Sequence, residues 1–248
     1  MTPRPNLRVG VNGARGKMGA ETVKAIREQA DFSLVFECGR GDDLSDVIRR
    51  TGADVVVDFT RPDCALANAL MILDSPARAV IGTTGFQPTD LDRLRARCEE
   101  RHTGAIVAPN FAIGAVLLMK FAEIASRHFP AAEIVEMHHA GKRDAPSGTA
   151  IATAARIAVG RSKAGLEISE ARVDAPSRGE QRDGVALHSV RLPGLVAHQE
   201  VFFGGPGELL TLRHDTMNRE AFMPGVLLAI RRVVDVHGLV MGLEALIT

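Results

Sequence analysis

Short apolar runs alternate with longer amphipathic segments through the first part of the chain. The runs are mainly apolar, and the clearest of them, at 54–59, is of the kind found in strands that are buried on both faces of a parallel sheet. The runs predict strands at Leu7–Val11, Phe32–Phe36, Asp54–Phe59, Ala79–Ile81 and Ala105–Ala108. The segments between them predict helices at Gly19–Gln29, Ala65–Leu73 and Thr89–Arg101. Strands that alternate with helices predict an α/β fold with a doubly wound, Rossmann-type parallel sheet.

The pattern changes near Ile113, after which strands follow one another more closely. The later pattern predicts helices at Ile113–His128, Ser147–Val159 and Ala221–Val236. It predicts strands at Glu133–Met137, Val185–Leu192, Gln199–Phe203 and Glu208–His214. Glycines and a proline at 204–207 predict a hairpin turn, and the polar segment Gly160–Gly184 predicts a long loop. We therefore expect a second, smaller α+β domain.

Charge balance and low aromatic content argue against several classes of partner. Lysine plus arginine and aspartate plus glutamate number 30 each, and aromatic residues make up 4% of the chain. A protein that stacks nucleic-acid bases needs aromatic rings beside a basic stripe. The most apolar stretch, Ile106–Met119, is interrupted by Pro109 and Asn110 and is too short to cross a bilayer. No nucleic-acid or membrane partner is expected.

The cysteines indicate a reducing compartment. Cys38, Cys64 and Cys98 are odd in number and form no C-x-x-C pair. They are expected to be free thiols, neither joined in disulfides nor bound to zinc. No apolar segment typical of a signal peptide precedes Leu7. These features predict a soluble, cytoplasmic protein without a metal site.

A glycine-rich loop lies between the first predicted strand and the first helix. Gly13, Gly16 and Gly19 allow a tight turn and a close approach to a pyrophosphate, whose charge then meets the helix N-terminus. The position at the head of a βαβ pattern favours nucleotide binding over the alternative of a plain tight turn. The predicted cofactor contacts in this loop are Gly13, Ala14, Arg15, Gly16, Lys17 and Met18.

The tip of the second strand bears on the choice of dinucleotide. A carboxylate there binds a ribose 2′-hydroxyl, whereas an arginine suits a 2′-phosphate. Gly39 and Arg40 occupy the tip. We therefore expect NADPH to serve at least as readily as NADH. The alternative is that Arg40 is a solvated loop residue.

Protonating chemistry is concentrated in one later segment. Transfer of a hydride to a C=N or C=C bond leaves an electron-rich atom that needs a proton donor. His138, His139 and Lys142 are three candidates. Ser147 is a good helix N-cap, and the amides of the next two residues suit a carboxylate. Arg191 and His214 lie on later predicted strands, and His198 directly precedes one. A structural role is favoured for each.

These motifs resemble those of the 4-hydroxy-tetrahydrodipicolinate reductase family, long called dihydrodipicolinate reductases, over essentially the whole length. The matching motifs are Gly13-x-x-Gly16-x-Met18-Gly19, Asp58-Phe59-Thr60-Arg61-Pro62, Gly82-Thr83-Thr84-Gly85-Phe86, Ala108-Pro109-Asn110-Phe111 and His138-His139-x-x-Lys142-x-Asp144-Ala145-Pro146-Ser147-Gly148-Thr149. The resemblance implies NAD(P)H-dependent reduction of 4-hydroxy-tetrahydrodipicolinate, with loss of water, to tetrahydrodipicolinate in diaminopimelate and lysine biosynthesis.

The resemblance also implies roles for individual residues. His138 would be the proton donor or acceptor and Lys142 a second proton donor. The residues implied to hold the substrate's carboxylates are His139, Gly148 and Thr149. The residues implied to border the nicotinamide are Gly82, Thr83, Thr84, Ala108, Pro109, Asn110 and Phe111. Gly39 departs from the family, because members often have an acidic residue at that position. Gly141 also departs, because that position is commonly basic or histidine.

The resemblance further implies a domain division and an assembly. Residues 1–110 and 219–248 would form the dinucleotide-binding domain, and residues 111–218 a substrate-binding and oligomerisation domain. A homotetramer would assemble through the sheets of the second domain.

Two other functions share part of these features. An amino-acid dehydrogenase that acts on aspartate or homoserine would have the glycine loop but no need of the His-His-x-x-Lys and Ser-Gly-Thr motifs. A nucleotide-sensing module would bind NAD(P)H without turnover.

Overall fold

The structure is a computed structural model that describes residues 6–166 and 175–247. The strands are β1 (Leu7–Asn12), β2 (Phe32–Cys38), β3 (Val55–Asp58), β4 (Arg78–Ile81), β5 (Gly104–Val107), β6 (Ala131–His138), β7 (Glu180–Arg182), β8 (Val185–Arg191), β9 (Ala197–Gly205), β10 (Glu208–Thr216) and β11 (Gly238–Met241). The helices are α1 (Lys17–Arg27), α2 (Leu44–Thr51), α3 (Pro62–Leu73), α4 (Pro88–Glu100), α5 (Ile113–Ala125), α6 (Gly148–Ala164) and α7 (Met223–Val233).

The chain divides into two compact units. The first unit comprises residues up to Phe111 and from Phe222 onwards, and the second unit comprises Ala112–Ala221. In the described residues, no helix is long and apolar enough to cross a membrane.

A parallel sheet of six strands forms the centre of the first unit, in the order β11-β5-β4-β3-β1-β2. The predicted doubly wound parallel sheet is confirmed. Every residue of β3 is buried, as expected for a strand that is covered on both faces. The chain runs from β1 outward to β2 and then crosses back to β3 on the other side of β1. This reversal of strand order opens a crevice outside the carboxyl ends of β1 and β3.

In the described residues of the second unit, five strands form a mixed sheet in the order β10-β9-β6-β8-β7. Strand β6 is parallel to β8 and antiparallel to β9. The core beneath this sheet includes Leu118 of α5, Ile157 of α6 and Ile134, Val201 and Phe203 of the strands. The predicted hairpin at 204–207 is confirmed, with Gly205 opposite Glu208.

Several elements differ from the expectation. Helix α2 and strands β7 and β11 were not predicted. The segment predicted as a loop from Gly160 begins instead as the end of α6. Gly160 does not end the helix, because its role is close packing: an added Cβ would lie 2.2 Å from the carbonyl oxygen of Glu123 on α5. The helix ends at Gly165, whose φ is +64°. Residues 167–174 of the predicted loop lie outside the described residues.

Candidate active site

The glycine loop of the first unit has the geometry that a dinucleotide needs. Gly13 has φ +80°, and an added Cβ would lie 2.6 Å from the carbonyl oxygen of Phe59. An added Cβ at Gly19 would lie 2.1 Å from the carbonyl oxygen of Gly13. Gly16 precedes α1 without a side-chain cap. The start of the helix therefore presents backbone amides to an anion.

Two amides of this loop have a structural role. The N–H groups of Gly13 and Ala14 both donate to the carbonyl oxygen of Cys38, at 2.9 Å each. These bonds tie the loop to the end of β2. The amides at the start of α1, at Lys17 and Met18, are the ones that a helix N-terminus leaves for a pyrophosphate.

A cavity of about 470 Å³ lies beside the loop, at the carboxyl ends of β1, β2 and β3. It is called the strand-end cavity here, and its lining residues are Asn12, Gly13, Arg15, Gly16, Gly39, Arg40, Gly41, Asp42, Leu44, Phe59, Thr60, Arg61, Cys64 and Asn68. Five of the predicted cofactor residues are therefore brought together: Gly13, Arg15, Gly16, Gly39 and Arg40. Ala14 is buried and can contribute only its backbone.

A carboxylate lies in the loop that follows β2, close to the end of the strand. Asp42 accepts a hydrogen bond of 2.7 Å from the backbone N–H of Gly39 and lies 3.9 Å from the guanidinium of Arg15. Sequence reasoning missed Asp42 because it considered only the end of the strand. The signal was the pair of aspartates at 42 and 43. Arg40 is exposed at the same tip.

A buried carboxylate holds the strand-end loops in place. Asp58 at the end of β3 has no solvent exposure and accepts hydrogen bonds from Asn12 at 2.8 Å and Asn68 at 3.0 Å. The hydroxyl of Thr60 donates at 2.6 Å, and that of Thr83 at 3.4 Å. The loops after β1, β3 and β4 are thus fixed to one another through Asp58.

The two predicted nicotinamide loops are tightly packed. An added Cβ at Gly82 would lie 2.0 Å from the ring of Phe59, which meets the ring of Phe111 edge to face at 5.6 Å. The side chains of Thr83, Ala108 and Phe111 are buried, that of Asn110 is partly buried, and those of Thr84 and Pro109 are exposed. The uncapped helix start, the glycine cradle and the adjoining cavity together fit a dinucleotide.

The second unit carries the histidine and lysine segment at the end of β6. The side chain of Glu136 is completely buried, and its Oε2 lies 2.5 Å from Nδ1 of His138. Arg191 of β8 donates to both oxygens of Glu136, at 2.7 and 2.9 Å. Burial favours a raised pKa for Glu136, but the hydrogen bonds from His138 and Arg191 outweigh it and lower the pKa to about 2. This carboxylate is therefore ionised at neutral pH.

Lys142 completes a charged cluster with these residues. Its Nζ lies 2.7 Å from Oδ2 of Asp144, and this hydrogen bond lowers the pKa of Asp144. Arg191 donates at 2.7 Å to the backbone carbonyl of Asp144. Arg191, for which a role within the sheet was favoured, thus joins the second-unit cluster, which comprises Glu136, His138, Lys142, Asp144 and Arg191.

The start of α6 adjoins this cluster. Ser147 is the N-cap, as predicted, since its Oγ accepts from the amide of Ala150 at 3.2 Å. The amide of Ser147 itself donates to Oε1 of Glu136 at 3.1 Å. Gly148 is exposed, and an added Cβ would find no atom within 4 Å. Thr149 is partly buried and His139 is exposed, so this helix start is open to a ligand.

His198 and His214, on the sheet of the second unit, make contacts of a structural kind. His198 contacts Asp215 at 2.7 Å. His214 packs against Gly114, where an added Cβ would lie 2.5 Å from the imidazole ring. Burial lowers the pKa of His214. Neither residue belongs to the second-unit cluster.

Comparison with known proteins accounts for both units. Family models described as "Dihydrodipicolinate reductase, N-terminus" and "Dihydrodipicolinate reductase, C-terminus" match residues 7–111 and 114–247. The chain belongs to the dihydrodipicolinate reductase family. The resemblance that the motifs carry is therefore confirmed.

Individual relatives match this reductase-family chain over nearly its full length. The 4-hydroxy-tetrahydrodipicolinate reductase of Coxiella burnetii (strain Dugway 5J108-111) is 49% identical over 245 residues, which are 97% of this chain and 99% of the relative. The 4-hydroxy-tetrahydrodipicolinate reductase of Nocardia farcinica (strain IFM 10152) is 49% identical over 243 residues, which are 96% of this chain and 97% of the relative. A solved structure, dipicolinate-bound dihydrodipicolinate reductase from Paenisporosarcina sp. TG-14, is 41% identical with a TM-score of 0.85, and covers 96% of this chain and 98% of its own.

Proposed function

We propose that this member of the family reduces 4-hydroxy-tetrahydrodipicolinate to tetrahydrodipicolinate, with loss of water, in diaminopimelate and lysine biosynthesis. It is an NAD(P)H-dependent oxidoreductase. The observation that carries the proposal is the second-unit cluster, in which His138 and Lys142 lie beside a capped helix start. The relatives that are 49% identical and named for this reaction support it.

NADPH or NADH supplies the hydride when bound. The glycine loop, with Gly13, Arg15 and Gly16, would hold the pyrophosphate against the start of α1. Gly39 and Arg40 would lie at the ribose. The loops at Gly82–Thr84 and Ala108–Phe111 would border the nicotinamide, where the buried side chains of these loops exclude water and their backbones supply the contacts.

Proton transfer is assigned to His138 and Lys142. Addition of a hydride leaves electron density on the substrate that a positioned acid must neutralise. Nδ1 of His138 faces Glu136, so Nε2 is the nitrogen that exchanges a proton with the substrate. Lys142 is the second donor, and its contact with Asp144 holds its side chain in place.

The substrate's carboxylates would be held by His139, Gly148 and Thr149. The amides of Gly148 and Thr149 lie in the first turn of α6, where the helix dipole favours negative charge. The dipicolinate-bound relative supports a dicarboxylate heterocycle as the substrate class. Dipicolinate should therefore compete with the substrate in an inhibition assay.

Cofactor preference depends on two opposed charges at the tip of β2. Arg40 favours the 2′-phosphate of NADPH, whereas Asp42 favours the free hydroxyl of NADH. Because Arg40 is exposed whereas Asp42 already accepts a hydrogen bond from the amide of Gly39, NADPH is expected to serve at least as readily as NADH. The Michaelis constants of the two dinucleotides measure this directly, and a strong preference for NADH would contradict it.

Cys64 offers a test of cofactor binding that does not depend on turnover. Cys38 and Cys98 are buried, whereas Cys64 is partly exposed in the lining of the strand-end cavity. A thiol reagent should modify Cys64 first, and saturating NADPH should slow that reaction. Cys64→Ser should remove the fast phase. An unchanged labelling rate with NADPH present would argue against a dinucleotide in this cavity.

Assembly and location are part of the proposal. A homotetramer would form through the second-unit sheet, whose face opposite the core carries Val135, Phe202 and the exposed Leu209. The free thiols favour the cytoplasm.

A coupled assay tests the reaction itself. The substrate is generated in place, and oxidation of NADPH or NADH is followed by absorbance. Turnover that depends on this substrate supports the proposal. Turnover with aspartate or homoserine instead would indicate an amino-acid dehydrogenase, and binding without turnover would indicate a nucleotide sensor.

A further inference from the structure

The carboxylate of Glu136 is completely buried and is hydrogen-bonded by groups from three different segments of the second unit. Nδ1 of His138 lies 2.5 Å from its Oε2. Arg191 donates one bond to each carboxylate oxygen, at 2.9 and 2.7 Å, and the amide of Ser147 adds a third at 3.1 Å. Both oxygens are thus fixed from three directions. The carboxylate cannot rotate away from the imidazole.

This arrangement determines which nitrogen of His138 carries the proton. An ionised carboxylate can only accept hydrogen bonds, so the contact requires a proton on Nδ1. In the neutral ring, Nε2 is then an acceptor. In the charged ring, Nε2 becomes a donor. The buried position makes this preference stronger than it would be in water.

Arg191 balances the charge of Glu136. A buried carboxylate without a partner is costly, and a bidentate guanidinium offsets that cost while fixing the orientation of the carboxylate. The residues that lie opposite Glu136 on the two neighbouring strands are uncharged: Gln199 on β9 and Ser189 on β8. The nearby Lys142 is matched by Asp144.

We infer that Glu136, held by Arg191, is a positioning residue that fixes the tautomer of His138 and leaves Nε2 as its proton-exchanging atom. This inference rests on the proposed role of His138 in the reduction. Neither Glu136 nor Arg191 is expected to touch the substrate. Their effect on turnover passes through the imidazole.

Glu136→Gln tests the inference in the full chain, with nitrogen NMR of His138 as the first readout. In the wild type, neutral His138 should show a proton on Nδ1. In the variant, this preference should be lost, because a side-chain amide can also donate to Nδ1. An unchanged tautomer in Glu136→Gln would overturn the inference. This measurement needs neither substrate nor cofactor.

Kinetics supply the second readout. Glu136→Gln should lower kcat by about 100-fold or more, within the range that a positioned acid–base group contributes, and leave KM nearly unchanged. In a His138→Asn background, the same change should cost no more than about twofold, because its target is absent. An equal loss of kcat in both backgrounds would show a structural role. If Glu136→Gln does not fold, Glu136→Asp takes its place, because it keeps the negative charge but moves it away from His138. The tautomer of His138 and kcat are then measured in the same way.

Glu133→Gln is the matched control. Glu133 lies on the same strand and also contacts a histidine, His188, at 2.8 Å. Its carboxylate is partly exposed and lies outside the second-unit cluster. The change should leave kcat and the tautomer of His138 as in the wild type. Should the wild type itself fail to reduce the substrate, the proposed function fails, while the NMR result still decides the role of Glu136.

Discussion

At the scale of single residues, burial distinguishes pairs that are chemically alike. His138 contacts Glu136 at 2.5 Å, and His198 contacts Asp215 at 2.7 Å. The carboxylate of Glu136 is 0% exposed and that of Asp215 is 31% exposed. Solvent screens the second pair, so its contribution is small, whereas the first pair is held in a low-dielectric setting. Only the first pair therefore has the rigidity that a catalytic group needs.

Substitution of the proton donors should separate chemistry from binding. His138→Ala or Lys142→Ala should lower kcat by roughly 100-fold or more, as expected for loss of an acid catalyst. Cofactor affinity should stay close to that of the wild type, because the dinucleotide residues lie elsewhere. Steady-state kinetics and a titration with NADPH measure the two quantities. His128→Ala, at an exposed position after α5, is the control. Nearly normal turnover in both variants would remove them from the mechanism.

Acid should weaken the fold through Glu136. Its pKa is about 2 in the folded chain, below the usual 4.5. The folded-state pKa is depressed, so the stabilising contribution is complete above the unfolded value and is lost as the pH falls towards the folded value. Denaturant unfolding from about pH 5 to about pH 2 should therefore show the difference between wild type and Glu136→Gln shrinking. A difference that stays constant over this range would contradict the assignment.

At the scale of elements, short segments were the ones that sequence reasoning missed. Helix α2 has local signals: Asp43 caps it by accepting from the amide of Asp46 at 3.0 Å, and Gly52 ends it with φ +58°. Its buried residues, Leu44 and Ile48, are four apart. These local signals are sufficient to predict α2 from the sequence. Strand β11 is different, because four residues have too little pattern and depend on pairing with the distant β5.

Asp58 should prove essential to the loops at the strand ends. Asp58→Asn places N–H groups among side chains that already donate, so several buried bonds lose their acceptor. The free energy of unfolding should fall by about 2–4 kcal/mol. Asp63→Asn, at an exposed carboxylate on α3, should change it by less than about 0.5 kcal/mol. Chemical denaturation measures both, and equal small effects would show that the network contributes little.

At the scale of the whole molecule, periodicity and motifs predicted more than distant contacts. The alternation of strands and helices predicted the parallel sheet, and the glycine spacing predicted the loop beside β1. The contact of Arg191 with Glu136 could not be predicted, because 55 residues separate them and only the parallel register of β6 and β8 brings them together. A lone arginine on a strand has no periodic signature. The site residues assigned by resemblance remain predictions for the experiments above.

The proposed tetramer can be tested by changing a single residue. Leu209 on β10 is 67% exposed, although it is large and apolar. If the second-unit sheet is the tetramer contact, Leu209→Glu should bury a charge there and shift sedimentation to smaller species. Met71→Glu, in the first unit, should leave the assembly unchanged. A wild type that sediments as a monomer would contradict the proposed tetramer.

The position of β11 in the chain has a consequence for synthesis. The sheet of the first unit requires β11 beside β5, yet the ribosome makes β11 only after the whole of the second unit. The second unit can therefore fold while the nucleotide-binding sheet still has an open edge at β5. During that interval, the bare edge is a site for mispairing with other nascent chains. We expect truncated products that stop before Phe222 to depend on chaperones and to be rapidly degraded.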